Sequence, residues 1–267
     1  MIWAFVAALL AVPVGTFLLR PRASRMFGGD FQGVKTEAFT GPILTMTVFL
    51  TAFVMAQATQ TFQRATQSAS AEATAVSSMF DSASMLPDGL GQDLQAASVC
   101  YARAVENLEW PAMRDGDTSV DVDQWEAKFN ELVPEVLSGP GAIVGQVVGL
   151  NRAQTEARST RLYEAAPHLP ALTVALMVIS IISVVLLLTS FAVADMRRGA
   201  LLGLGLGMAT LLGGTLFLTE QLEEPFTGIV RVKPTVIAGV AADNAAKYTL
   251  QYPGAELPCD AQGRFPS

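Results

Sequence analysis

The sequence LPALTVALMVISIISVVLLLTSFAVA, from Leu169 to Ala194, has no charged side chain and consists mainly of Leu, Ile, Val and Ala. A helix needs about 20 apolar residues to cross the hydrocarbon core of a bilayer. This stretch therefore predicts a transmembrane helix.

Three more uncharged stretches are long enough to cross a bilayer. They are Ile2–Leu19, a segment within Phe39–Gln63, and Gly199–Thr219. Basic residues follow the first stretch instead of preceding it, so we interpret it as a retained helix and not as a cleaved signal peptide. The four stretches together predict an all-α integral membrane protein with four transmembrane helices.

A polar segment separates the second and third stretches. Residues 64–168 hold 22 of the 41 charged side chains, and apolar residues recur there at helical spacing. Span two is expected to continue into this segment, and a last soluble helix is expected to run from Ala142 into span three. The fold prediction is an extramembrane helical bundle inserted between spans two and three.

The predicted domain boundaries follow from this layout. Residues 1–63 form spans one and two, 64–168 the soluble domain, and 169–219 spans three and four. Residues 220–267 form a tail packed on the soluble domain. In the tail, an extended segment through Pro234 is expected to precede a short helix, Thr235–Lys247.

The positions of the basic residues predict the orientation, because short loops rich in Lys and Arg stay in the cytoplasm. Such residues follow span one and separate spans three and four: Arg20, Arg22, Arg25, Lys35, Arg197 and Arg198. The soluble domain and both termini are then extracytoplasmic. We expect a multi-pass protein of the plasma (inner) membrane.

Composition narrows the function. A net charge of −7 argues against nucleic acid, whose phosphates need a basic face. The two cysteines and one histidine form no zinc motif, and no Ser-His-Asp arrangement or phosphate-binding loop is evident. We expect no catalytic residues, no metal and no cofactor. The expected partners are the lipid bilayer and either further copies of this chain or unlike membrane subunits.

The second span is the most polar of the four. Gln57, Gln60, Arg64 and Gln67 recur three or four residues apart and so share one helix face. In a ring of identical subunits they would line a hydrated mouth, and Arg64 would favour anions. The alternative is a helix end whose polar side chains are simply solvated outside the bilayer.

Two stripes of small residues have the spacing of close helix crossings. One is Gly199, Gly203 and Gly207 in span four, and the other is Gly141, Gly145 and Gly149 in the soluble domain. Glycines four apart let two backbones approach closely. Packing within the chain and contact between subunits are both open.

Cys100 and Cys259 are the two cysteines of the chain, and the predicted topology puts both in the oxidising compartment. We therefore predict a disulfide that ties the tail to the bundle. The alternative is two unpaired thiols, one buried and one in the tail.

Two further features have ordinary explanations. The acidic loop from Asp115 to Glu126 has oxygen donors at calcium-loop spacing, but Val120 occupies the position that needs glycine. Acidic loops commonly cap a helix start. His168 is interpreted as a side chain at the membrane boundary.

Three segments resemble a bacterial family of unknown function called bestrophin-like. They are Tyr101–Pro111 (with Glu106, Glu109 and Trp110), Arg158–Leu162 (with Arg161), and Glu224–Pro234 (with Pro225, Phe226 and Gly228). True bestrophins, to which the likeness is fainter, are pentameric anion channels. The resemblance implies a homo-oligomer with span two around a central pore.

Two features depart from the bestrophin pattern. Bestrophins carry their soluble part in the cytoplasm, whereas the loop charges here predict the opposite. Bestrophins also have an aromatic constriction along span two, whereas Phe49, Phe53 and Phe62 form no obvious single stripe. Two functions therefore remain: an oligomeric ion channel or pore, or a non-catalytic accessory or assembly subunit of a larger membrane complex. The absence of charge within the spans favours the second.

Overall fold

The computed structural model describes residues 2–26, 36–136, 141–166, 169–191 and 198–266. These residues form ten α-helices, with one π-helical segment after α1 (Val14–Leu19) and another after α4 (Val105–Glu109). The helices are α1 Ile2–Pro13, α2 Arg20–Met26, α3 Thr36–Ala83, α4 Asp88–Ala104, α5 Trp110–Arg114, α6 Val120–Val136, α7 Gly141–Glu164, α8 Ala171–Phe191, α9 Arg198–Glu223 and α10 Thr235–Gln251.

Four helical segments are long and apolar enough to cross a membrane. They are Phe5–Ala23, Gly41–Ala83, Ala171–Ser190 and Arg198–Glu223, and each overlaps one of the predicted spans. The second belongs to α3, which runs for 48 residues. Span two therefore does continue as one helix into the polar segment.

The chain divides into two compact units. Unit 1 comprises residues 1–60 and 168–223, and unit 2 comprises residues 61–167 and 224–267. In unit 1, α1, α8 and α9 pack against one another. Its core includes Ala8, Val54, Met177, Ile181 and Leu216, all of them buried.

Unit 2 is a helical bundle with its own core. Within it, α4 packs on both α6 and α10, and α6 packs on α7. Met79, Leu94, Tyr101, Phe129 and Ile237 are buried in this core. The last 44 residues of the chain, 224–267, belong to this unit and not to unit 1.

One sequence expectation about a helix boundary is wrong. The helix that begins near Ala142 does not run into span three, since α7 ends at Glu164 and α8 begins at Ala171. Pro170 contributes to the break, because the residue before a proline disfavours the helical conformation. In the tail, residues 224–230 form turns and bends, and residues 231–233 have no regular secondary structure before α10.

Candidate functional site

The face of α3 that carries the predicted glutamines is exposed within unit 1. Met46, Phe49, Phe53, Gln57 and Gln60 follow at intervals of three or four residues, and all five are exposed. At 3.6 residues per turn they lie along one side of the helix. The structure thus places the glutamines directly after an apolar stripe.

The phenylalanines of this helix divide between two environments. Phe49 and Phe53 are exposed beside Met46, whereas Phe62 packs against the core of unit 2. The three phenylalanines therefore form no single stripe, as expected from the sequence. Phe49 and Phe53 share the exposed face with Met46, and Phe62 lies on the opposite side of the helix.

Arg64 and Gln67 are exposed on α3 in unit 2. Nη1 of Arg64 lies 3.9 Å from Oε1 of Glu164, whose carboxylate is buried. An ion pair at this distance, with one partner 59% exposed, contributes little to stability. A cavity of about 370 Å³ lies between α3 and α7. It is lined by Arg64 and Gln67 of α3 and by Ala153 and Glu156 of α7.

A second arrangement, an ion-pair network, lies in the interior of unit 2. Arg161 of α7 donates from Nε to Oε2 of Glu72 at 2.6 Å and from Nη2 to Oε1 at 3.0 Å. The same guanidinium also donates to Glu109. The side chains of all three residues are at most 1% exposed. Glu72 comes from α3, so the pair joins two helices that are far apart in sequence.

Arg158 lies one helical turn before Arg161 and has its own acidic partners. It donates from Nε to Oε1 of Glu109 at 3.1 Å, from Nη2 to Asp123 at 2.6 Å, and from Nη1 to Glu126. Glu109 therefore bridges the two arginines. Because buried charges are costly unless they are paired, this arrangement holds each charge against an opposite one.

Tyr101 extends the network through its hydroxyl group. The hydroxyl donates to Oε1 of Glu72 at 2.5 Å and accepts a hydrogen bond from Nε2 of Gln154 at 2.5 Å. Burial, together with the negative charge of Glu72, raises the pKa of Tyr101 well above its ordinary value. The phenol thus stays protonated and acts as a donor.

The electrostatics of the network favour the ionised state of Glu109 and of both arginines. Burial alone would raise the pKa of Glu109, but Arg161 and Arg158 outweigh it, so the pKa of that carboxyl is lowered. Burial likewise opposes the charge on each arginine, yet hydrogen bonds and attraction to Glu109 and Glu72 raise the pKa of both guanidinium groups. The functions predicted from the sequence do not involve these charges. Their ion pairs connect α3, α6 and α7 to the segment that carries Glu109.

Trp110 connects the network to the tail. The guanidinium carbon of Arg161 lies 5.1 Å from the centre of the Trp110 ring. The ring of Phe226 packs edge-on against Trp110, with 5.5 Å between the ring centres. The indole nitrogen donates to the carbonyl oxygen of Val232 at 3.3 Å. Pro225 is buried, and its carbonyl accepts from the amide of Val232 at 2.7 Å, which closes the turn.

Gly228 lies at the tip of this turn with φ of +68°. Glycine adopts this left-handed conformation at no steric cost, whereas a side chain disfavours it.

The structure pairs Cys100 of α4 with Cys259 of the tail in a disulfide, with 5.8 Å between their α-carbons. Nearby, the indole nitrogen of Trp125 donates to the carbonyl oxygen of Gly263 at 2.8 Å. A β-carbon added at Gly263 would collide with the backbone of α4 at Ala104. The end of the tail therefore packs on the helical bundle of unit 2.

Five glycines of the predicted stripes make no close helix contact among the residues that the structure describes. A β-carbon at Gly199, Gly203, Gly207, Gly145 or Gly149 would meet nothing within 4 Å, and the surroundings of Gly141 lie outside what the structure describes. The packing role within the chain is therefore wrong for these five positions.

Other glycines make the close crossings of unit 1. A β-carbon at Gly205 would lie 2.8 Å from Thr189 and 2.9 Å from Val12, and one at Gly213 would collide with Phe5. Gly203 and Gly205 are two residues apart and so point to opposite sides of α9. Of the two interpretations of the stripe Gly199, Gly203 and Gly207, contact between subunits remains.

The acidic loop does not gather its carboxylates around one point. Asp123 and Glu126 bind Arg158, and Asp121 accepts from the amide of Phe265 at 2.8 Å. Val120 begins α6 and is exposed. Within the described ranges, no group of three or more His, Cys, Asp or Glu side chains is arranged to hold a metal ion. His168 falls outside the residues that the structure describes.

Comparison with known proteins identifies the family. The family model of the bestrophin-like domain matches residues 6–237. The chain belongs to the bestrophin-like family. No curated protein matches in sequence.

Two solved structures share the fold of this bestrophin-like chain. Both are crystal structures of a bacterial bestrophin homolog from Klebsiella pneumoniae, the second carrying a mutation. The first matches with a TM-score of 0.69 at 12% identity and covers 94% of this chain and 99% of its own. The second matches with a TM-score of 0.70 at 12% identity, with coverages of 93% and 98%. At this identity the likeness concerns the fold alone.

The three family segments meet in unit 2 of the bestrophin-like chain. The network and the turn beside it contain Tyr101, Glu109, Trp110, Arg158, Arg161, Pro225, Phe226 and Gly228. Glu106 is partly exposed in the π-helical segment and takes no part in these contacts. The motif residues are thus mainly the ones that assemble unit 2.

Sequence reasoning missed Glu72 and Gln154. Glu72 carried a signal, because it is the one charged residue between Arg64 and Asp81 in a stretch rich in Ala and Ser. A single charge on an otherwise apolar or small-residue helix face needs a partner once that face is buried. Gln154 carried none, since an amide on a polar helix is ordinary.

Proposed function

We propose that this bestrophin-like protein assembles as a homo-oligomer in the plasma membrane and conducts small anions through a pore lined by α3. Four helices cross the bilayer, and unit 2 lies on the extracytoplasmic side. The supporting observation is the exposed face of α3, on which Met46, Phe49 and Phe53 precede Gln57 and Gln60.

Helix length supports a hydrated environment for this face. A span of about 20 residues that begins at Phe39 ends near Ala58, so Gln57 lies within the bilayer and Gln60 lies at its edge. An exposed amide is costly against lipid tails but not in a water-filled pore. A ring of subunits would convert the exposed face of α3 into such a pore.

The order of side chains along the face fits a pore with a hydrophobic constriction. Rings of Met46, Phe49 and Phe53 would narrow the pore, and apolar constrictions gate conduction by dewetting. Arg64 and Gln67 would surround the mouth. Because Glu164 neutralises Arg64 only weakly at 3.9 Å, a ring of these arginines would attract anions.

The alternative is a non-catalytic accessory or assembly subunit. It is supported by the exposed stripe of Gly199, Gly203 and Gly207 on α9, which offers a close packing surface to another membrane helix. The four predicted spans also lack any charged residue, whereas intramembrane charges are common in transport pathways.

The stoichiometry of the purified assembly distinguishes the two functions. Native mass spectrometry of the full chain in detergent should give a ring of identical subunits if the pore proposal is right. A single copy bound to unlike subunits would overturn it in favour of the accessory role. A matched flux assay in chloride-loaded liposomes should then show chloride release by the ring.

A further inference from the structure

A cavity of about 240 Å³ in unit 2 has no role in the proposed pore. Its polar lining includes two cations, Arg231 and Lys233, and the hydroxyl-bearing Thr66, Ser70 and Thr235. Phe62, Trp110, Val232 and Ile237 form apolar walls. A small cavity that combines cations, hydroxyls and apolar walls suits an anionic group attached to an apolar body.

Arg231 and Lys233 are exposed, and neither forms a salt bridge within the described ranges of the chain. In contrast, the buried arginines of the same unit are matched by carboxylates. Two unmatched cations at one cavity of a protein with a net charge of −7 therefore form a local anion-attracting site.

The tail segment that carries the two cations also carries exposed apolar side chains. Ile229 is 82% exposed, Val236 is 49% exposed, and Val230 is 37% exposed. Apolar side chains interleaved with basic ones are typical of segments that lie in the headgroup region of a membrane.

Both walls of this cavity follow predicted spans closely along the chain. Arg231 follows the end of α9 at Glu223 by eight residues. On α3, Thr66 lies about 9 Å along the helix axis from Gln60, at about 1.5 Å per residue. Both walls therefore belong to segments that directly follow a predicted span.

We propose that this cavity binds the phosphodiester headgroup of an anionic phospholipid. Arg231 and Lys233 pair with the phosphate, the hydroxyl group of Thr235 donates a further hydrogen bond, and the apolar residues contact the acyl chains. Free phosphate shares the anionic chemistry but has no acyl chains, and the exposed apolar side chain of Val236 in the cavity lining favours the lipid. This site does not depend on whether the protein conducts ions.

The test is a lipid titration of the full-length protein in detergent, read by native mass spectrometry. Phosphatidylglycerol should bind at least about tenfold more tightly than phosphatidylcholine, and R231Q/K233Q should remove that preference. Each basic side chain at a membrane surface strengthens the binding of anionic lipid. Losing two of them should weaken the binding of phosphatidylglycerol on the order of 30-fold. R114Q/R152Q removes the same charge from exposed positions elsewhere in unit 2 and should leave the preference intact.

Two further arms complete the test. Thr66→Glu places an acidic group on the exposed rim of the cavity and should weaken binding of phosphatidylglycerol without touching either cation. Inorganic phosphate, added at a hundredfold excess, should displace little lipid. Equal lipid preference in the wild type and in R231Q/K233Q, or full displacement by inorganic phosphate, would overturn the proposal.

Discussion

Arg161 and Glu72 form a two-point ion pair, at 2.6 Å and 3.0 Å, with both side chains almost fully buried in unit 2. The pair joins α3, which begins in unit 1, to α7 of unit 2. Because the two residues are 89 positions apart in the chain, their contact fixes the tertiary arrangement of unit 2 and not a local turn.

Arg161→Met should destabilise the protein strongly. The substitution keeps much of the side-chain volume but leaves Glu72 and Glu109 with less cationic compensation, and breaking a buried pair costs about 3–5 kcal/mol. We expect thermal unfolding in detergent to begin on the order of 10 °C lower. Arg152→Met, an exposed position on the same helix, is the matched control and should change stability by less than about 0.5 kcal/mol. Similar melting curves for the two variants would contradict a stabilising network.

Acidification should weaken the same network. The pKa of Glu109 is lowered in the folded protein, because Arg161 and Arg158 outweigh the effect of burial. Its stabilising contribution is therefore fully present above the unfolded pKa of about 4.3 and is lost as the pH falls through the lower folded value. Melting temperatures measured from pH 7 to pH 3 should stay level at first and fall below about pH 4. Glu109→Gln, although less stable, should show a shallower acid slope, and an unchanged slope would count against this assignment.

A large side chain should destabilise the protein on one face of α9 and not on the other. Gly205→Leu forces a side chain against Val12 and Thr189 and should abolish or strongly destabilise the folded protein. Gly203→Leu meets open space within the chain and should leave its melting temperature unchanged. If the stripe is a subunit contact, Gly203→Leu should nevertheless reduce the size of the assembly in size-exclusion chromatography. An assembly of unaltered size would remove the stripe from the list of subunit contacts.

The predicted orientation can be tested in the natural cysteine background. Because Cys100 and Cys259 are paired, a membrane-impermeant maleimide should label neither. Single cysteines at the exposed positions Arg25 and Asp117 should then label oppositely in intact cells. We expect labelling at position 117 from outside and at position 25 only after lysis. The reverse pattern would place the soluble unit in the cytoplasm.

The membrane helices were predictable from the sequence, whereas the buried network was not. Hydropathy identifies Ala171–Ser190 and its counterparts because the bilayer demands length and lack of charge from each helix independently. Hydrophobic spacing likewise predicts α6, since Trp125, Phe129 and Leu132 share one buried face. These features depend on local sequence alone.

Features that depend on how helices pack against one another could not be predicted from the sequence. Glu72 and Arg161 are ordinary charges until α3 and α7 bring them together, and no local rule pairs them. The choice between Gly203 and Gly205 depends on which side of α9 faces α1 and α8, which one sequence does not determine. The disulfide was one of two open interpretations, because it depends on where the tail docks.

The central claim, that α3 lines an anion pore with Arg64 at its mouth, is tested most directly by one electrical measurement. The reversal potential of purified full-length protein in a planar bilayer is recorded under a tenfold potassium chloride gradient, for the wild type and for Arg64→Glu. A ring of arginines and a ring of glutamates impose opposite potentials on the mouth. We expect an anion-selective reversal potential for the wild type and a shift toward the cation value for the variant. A sealed bilayer with well-folded, oligomeric protein, or identical potentials for the two proteins, would contradict it.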